Sequence, residues 1–202
     1  MTAAAAMVAI VGIGLLAATR AEILRVQSLA PWRSRLRTLS IAFVAGVFLG
    51  GALVALLTVL SRDLPLATAR LEAEAGWPLW RRMFLAAEAA TTEEIVFRLF
   101  LLSILIWIAV SISKTARSFR VVTFGLANVA VAIGFGLAHL PAWSRITSLT
   151  PSIVLMVLAL NGVTAVILGY AYWRHGLVAA ITLHFATDVM VHGVGPIVIQ
   201  HA

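Results

Sequence analysis

The chain contains no cysteine. That absence removes a disulfide framework, thiolate nucleophiles and cysteine-ligated zinc. Charge is also scarce. Only 11% of the 202 residues are Asp, Glu, Lys or Arg, against about a quarter in an ordinary soluble domain. Acids number eight, and lysine occurs once, at Lys114, so fourteen of the fifteen basic residues are arginine. No HExxH run is present, which excludes a zincin helix. No GxSxG is present, which argues against a serine-elbow hydrolase. There is no tandem repeat of fixed period. What fills the chain instead is apolar: 62% of residues are hydrophobic. An integral membrane protein follows, built as an all-α, polytopic helical bundle in one membrane domain. The formal net charge of +7 is read as loop arginine that sets topology and meets anionic membrane lipids. Nucleic acid is not an expected partner, because no basic stripe with interleaved aromatics appears.

A spanning helix needs about 20 mostly apolar residues. Six segments qualify: Ala3 to Thr19, Leu39 to Leu60, Met83 to Ile112, Val121 to His139, Pro151 to Tyr172 and Gly176 to Ile199. The first lacks the basic start and small-residue cleavage site of a signal peptide, so it is read as a span. The third is too long for one straight crossing at about 1.5 Å per residue. It is either strongly tilted or two helices broken near its charges. Between spans two and three, Ser61 to Arg82 reads as a loop with a short interfacial helix, since Trp77, Trp80 and its arginines suit the headgroup level. Three loops are basic: Arg20 to Arg37 (with Arg25), Ser113 to Arg120, and the turn at Arg174. Six spans put all three at one end, which the positive-inside rule makes cytoplasmic. Gly46 and Gly50 form a GxxxG pair, read as tight packing against a neighbouring span of the same chain.

Within this apolar chain, charges inside spans stand out. An ionised side chain at mid-helix costs about 2.5–3.5 kcal/mol on insertion scales, so such residues are mostly paired and functional. Three polar stations occur, each at helical spacing. The first is TTEEIVFRLF, with Glu93, Glu94 and Arg98. Glu94 and Arg98 are four apart in the favourable order for an ion pair. Glu93 lies about 100° around the helix, without a local partner. A carboxylate so placed in an apolar site has the profile of a general base. The second station is FGLAHL, with Phe135 and His139. The third is LHFATDVM, with His184 and Asp188 one turn apart. Together they can activate a water and stabilise an oxyanion, if they converge. Residue counting opposes convergence: His139 ends its span, whereas His184 lies about 12 Å from the inner end of span six. A boundary must shift, or a helix must break, for them to meet. Other polar residues are less demanding. Glu88 would face water at a cavity mouth. Asn128, Asn161 and Thr164 suit interhelix hydrogen bonds, and His175 has no acid at helical spacing.

In order, EEIVFR (Glu93 to Arg98), FGLAH (Phe135 to His139) and HFATD (His184 to Asp188) resemble the motifs EExxxR, FxxxH and HxxxN of the CPBP family. This is the family of CAAX proteases and bacteriocin-processing enzymes, also called the Abi or type II CAAX prenyl endopeptidase family. The run GYAYWRHGLVAAITLHFATD is similar as well, and the resemblance covers roughly Trp80 to Met190. It implies an intramembrane endopeptidase acting on a peptide or membrane-protein substrate, prenylated CAAX tails included. By that resemblance, Glu93 and His139 would activate water, His184 and position 188 would stabilise the oxyanion, and Glu94 with Arg98 would support the site. No cofactor is implied under the metal-free mechanism; zinc on two His and Glu is the alternative. Two departures matter. Leu99 follows the arginine where Gly is frequent. Asp188 stands where Asn is common, and an ionised Asp offers no N–H donor. It must be protonated, or paired with Arg98 or His184, or leave the oxyanion to His184 alone.

These readings divide the chain into residues 1–79, two spans and a connecting loop, and residues 80–202, a catalytic core. The expected location is the plasma membrane of a prokaryote. Two other functions stay open: a non-catalytic immunity or scaffold protein binding a partner through the same cavity, and a small proton-coupled carrier, against which the lack of inverted repeats argues.

Overall fold

The structure is a computed structural model that describes residues 2–23 and 32–201; Arg25 of the first basic loop lies outside them. The described residues are predominantly helical, without a strand. The helices are α1 (Ala3–Arg20), α2 (Trp32–Leu60), α3 (Ala69–Ala75), α4 (Leu79–Ile112), α5 (Lys114–Ser118), α6 (Arg120–Trp143), α7 (Pro151–His175) and α8 (Leu177–His201). A 3₁₀ turn, Pro65–Thr68, leads into α3. Six helices, all but α3 and α5, are long and apolar enough to cross a membrane.

Local chemistry sets the boundaries. Thr150 caps α7 by accepting the Ile153 N–H at 3.3 Å, and Pro151 occupies the first helical position, where its missing N–H costs nothing. Gly176 ends α7 at φ 92°, a conformation glycine adopts without strain, and α8 begins at the next residue. Several expected limits move. α2 starts at Trp32 rather than Leu39. α4 is one continuous helix rather than two, and the expected break near its charges is a π-helical segment, Ile95–Leu102. α6 runs past His139 and through Pro141 to Trp143. α8 also contains a π-helical segment, Val189–Val194.

Small residues bring the helices together. A Cβ added to Gly46 would collide with the Leu183 carbonyl oxygen, and one on Gly50 would come 2.6 Å from the Met190 Cβ. The GxxxG pair therefore seats α2 directly on α8, within one chain. α6 and α7 form the other extensive pair, where the Asn128 amide donates across to the Val166 carbonyl at 2.9 Å. α1 lies on the π segment of α4, with Gly14 against Leu99. Leu99, Leu102, Leu168, Tyr172 and Ala180 make one buried apolar core; Leu57, Leu71, Ile153 and Val157 belong to a second. Large apolar side chains such as Val8, Phe48, Leu126 and Leu155 point outward, as a lipid-facing surface requires. At one end of the bundle Arg120 reaches back to Glu22 at 2.9 Å and to the Ala21 carbonyl, so the first and second basic loops do share an end.

Candidate active site

Both π segments start directly after a sequence-predicted site residue: the first after Glu94, the second after Asp188. Such segments interrupt the regular ladder of backbone bonds and often mark functional sites. Side chains serve both interruptions. Ser103 donates to the Arg98 carbonyl at 3.2 Å and shares a buried 2.8 Å hydrogen bond with Tyr172. Arg82, from the first turn of α4, donates to the His192 and Gly193 carbonyls at 3.2 and 3.0 Å.

Glu94 sits at the centre of the first station and is fully buried. Its Oε2 is 3.2 Å from Arg98 Nε, and its Oε1 accepts from His184 Nδ1 at 2.9 Å. The Arg98 contact is an ion pair without hydrogen-bond alignment; Arg98 Nη1 is buried with no partner, while Nη2 donates to the Ala165 carbonyl. The guanidinium also lies 4.7 Å from the Phe135 ring centre. Arg98 thus fixes Glu94, and Glu94 fixes the ring of His184. His184 Nε2 is left facing Glu93 Oε2 at 3.9 Å and Asp188 Oδ2 at 3.6 Å. Of the roles open to Asp188, pairing with His184 is the one present.

A cavity of about 140 Å³ opens beside this nitrogen. Glu93, His139, His184 and Asp188 line it, and Leu53, Leu57 and Met156 form part of its apolar wall. The second station does meet the third: the Phe135 ring lies 4.6 Å from the His139 ring and 6.1 Å from the His184 ring. The depth conflict disappears because His139 lies one turn inside α6 rather than at its end. Its Nδ1 bonds the Phe135 carbonyl at 2.8 Å. A carbonyl only accepts, so Nδ1 carries the proton, and a neutral ring keeps its lone pair on Nε2. Of the six predicted site residues, four therefore face the cavity, and Glu94 and Arg98 stand behind them. Among the described residues, no three His, Asp or Glu side chains are grouped to hold a metal ion.

Sequence reasoning missed a second polar cluster at the cavity mouth. Glu74 of α3 takes Arg70 Nε on one oxygen at 3.0 Å and His192 Nδ1 on the other at 2.6 Å. Asp188 stands four residues before His192, but the acid His192 bonds is Glu74, 118 residues away in sequence. The available signal was Arg70 and Glu74 four apart on a short amphipathic segment. Burial alone pushes the Glu74 carboxyl up, but the His192 hydrogen bond and charge, with Arg70, outweigh it and hold it below its ordinary value. Arg70, Asp188 and His192 also line an adjoining cavity, and Glu88 stands at its exposed edge, as expected. Asn161 and Thr164 differ from expectation. They bond back to the Val157 and Leu160 carbonyls of their own helix, not across to a neighbour, and both line the main cavity.

Comparison with known proteins gives a family match. A family model described as type II CAAX prenyl endopeptidase Rce1-like matches residues 75–190, more than half of the chain. No curated protein and no solved structure matches.

Proposed function

The chain belongs to the Rce1-like family of type II CAAX prenyl endopeptidases, and from that premise we propose that it cleaves a peptide bond of a membrane-associated substrate with a water activated by Glu93 and His139. The family places it among CAAX-type intramembrane proteases. The glutamate mechanism, the residues and a prenylated CAAX-type substrate are our reading.

The observation that carries it is the buried chain Arg98–Glu94–His184, which aims His184 Nε2 at a cavity that Glu93 and His139 also line. In this reading a water is held between the Glu93 carboxylate and the Nε2 lone pair of His139. Glu93 takes a proton as the water oxygen bonds to the scissile carbonyl carbon. The carbonyl electron pair moves to oxygen, and His184 Nε2–H donates to the oxyanion so formed. When the C–N bond breaks, the proton returns from Glu93 to the leaving nitrogen, and a carboxylic acid and an amine result. Asp188 holds the free side of the His184 ring and needs no donor of its own. The apolar wall suits the substrate's hydrophobic portions and keeps bulk water from the reacting bond. The arginine-for-lysine bias and abundant alanine support a prokaryotic plasma membrane.

The test uses full-length protein in detergent with a farnesylated fluorogenic peptide. Glu93→Gln and His139→Ala should each abolish cleavage, and the wild type should retain it in a metal chelator. Cleavage by Glu93→Gln at the wild-type rate refutes the glutamate base; loss in chelator with recovery on added zinc refutes the metal-free mechanism.

A further inference from the structure

The proposed chemistry leaves the cluster at the cavity mouth without a task. Arg70 is part-exposed, lines both the main and the adjoining cavity, and is held through Nε by Glu74 at 3.0 Å. Its Nη1 and Nη2 make no hydrogen bond among the described residues, so the end of the guanidinium fork is free. That end presents two parallel N–H donors, the geometry that takes a carboxylate bidentately. The scaffold behind it is fixed. Glu74 also grips His192 at 2.6 Å, and Arg82 is anchored on the His192 and Gly193 carbonyls. Arg82 brings a second, buried positive charge, so two guanidiniums stand against the one buried carboxylate of Glu74. The acids nearby are elsewhere in function or setting: Glu93 and Asp188 face His184, and Glu88 is exposed, where solvent screens it.

The spacing between stations is informative. His192 lies eight residues after His184 on the same helix, at most about 12 Å at the α-helical rise because half of those residues fall in the π-helical segment. Three extended residues span about 10 Å. A CAAX sequence ends three residues after its cysteine. A chain whose scissile carbonyl sits at His184 therefore brings its terminus to the Arg70 cluster.

Resting on the peptidase reading above, we propose that Arg70 binds the C-terminal α-carboxylate of the substrate and so sets the distance from the chain end at which the bond is cut. Glu74 is a positioning residue that turns the open end of the Arg70 fork toward the cavity.

The experiment compares one farnesylated peptide made as the free acid and as the C-terminal amide. Wild type should cleave the acid with kcat/KM roughly ten- to a hundredfold above the amide, the range of a hydrogen-bonded charge contact. Arg70→Gln should lower cleavage of the acid by a similar factor and leave the amide almost untouched, so that the preference disappears. Arg70→Lys, which keeps the charge but loses the fork, should restore part of it. Equal cleavage of acid and amide by wild type overturns the proposal, as does an undiminished preference in Arg70→Gln. Displacement of a labelled acid peptide from the Glu93→Gln variant separates this subsite from the chemistry. If that variant still binds acid over amide, the subsite stands whatever residue activates the water; if it binds both alike, the subsite falls even where the peptidase reading holds.

Discussion

Replacing Glu94 by glutamine removes one charge from a pair that water does not reach. The Glu94 and Arg98 side chains are 0% and 1% exposed and their charged atoms lie 3.2 Å apart. Breaking a buried pair from one side costs about 3–5 kcal/mol, because the surviving ion keeps its desolvation cost without its counter-charge. Arg98 retains its bond to the Ala165 carbonyl and the Phe135 ring face. Those contacts place the expected loss at the lower end, about 3 kcal/mol. In a chain of this length 1 kcal/mol moves the midpoint by about 2–4 °C, so Glu94→Gln should lower Tm by about 6–12 °C. Thermal unfolding in detergent followed by circular dichroism measures this. The double variant Glu94→Gln with Arg98→Met removes both charges and should recover most of the midpoint, since neither ion of the pair remains without its partner. Its activity should not recover. The His184 ring keeps an amide acceptor but loses the carboxylate that stabilises its N–H, and kcat should stay roughly a hundredfold or more below wild type. A single-variant midpoint within about 2 °C of wild type would refute the buried-pair argument. A double variant with wild-type kcat would show that Glu94 serves stability alone.

Three further outcomes are expected. Gly46→Ala should cost about 1–3 kcal/mol because its Cβ meets the Leu183 carbonyl and comes 2.7 Å from the Ala186 Cβ, whereas Gly125→Ala, with open space around it, should be neutral or stabilising; thermal midpoints of the two variants decide it. The Glu74 carboxyl sits below its ordinary value of 4.5, so its contribution is complete above that pH and is lost as pH falls through the lower, folded-state value. The midpoint gap between wild type and Glu74→Gln should accordingly shrink on acidification from pH 7 to pH 4, and a gap that widens contradicts the assignment. Because the chain has no cysteine, single cysteines report its orientation cleanly. α3 and the cavity mouth lie at the end opposite Lys114 and Arg120, so by the positive-inside rule exposed Ala73→Cys should react with an impermeant maleimide in intact cells, and exposed Ser118→Cys only after lysis; the reverse pattern inverts the topology.

Much of this molecule was legible in its residues because the membrane makes polarity expensive. A chain with so few charges places Glu93, Glu94, Arg98, His184 and Asp188 inside spans only where something compensates them, and the period of the helix made the pairing of Glu94 with Arg98 and of His184 with Asp188 readable without coordinates. The Gly46 and Gly50 pair likewise announced a close helix contact. Contacts between distant segments were another matter. That Glu94 serves Arg98 and His184 at once, that α8 is the span covering the GxxxG face of α2, and that His192 finds Glu74 are all properties of the packed bundle. So is the meeting of His139 with His184, which depends on where α6 ends. Spacing along one helix constrains angles around that helix alone. Which faces are turned toward each other, and whether a lone carboxylate or histidine has a partner, is decided only when the six spans pack.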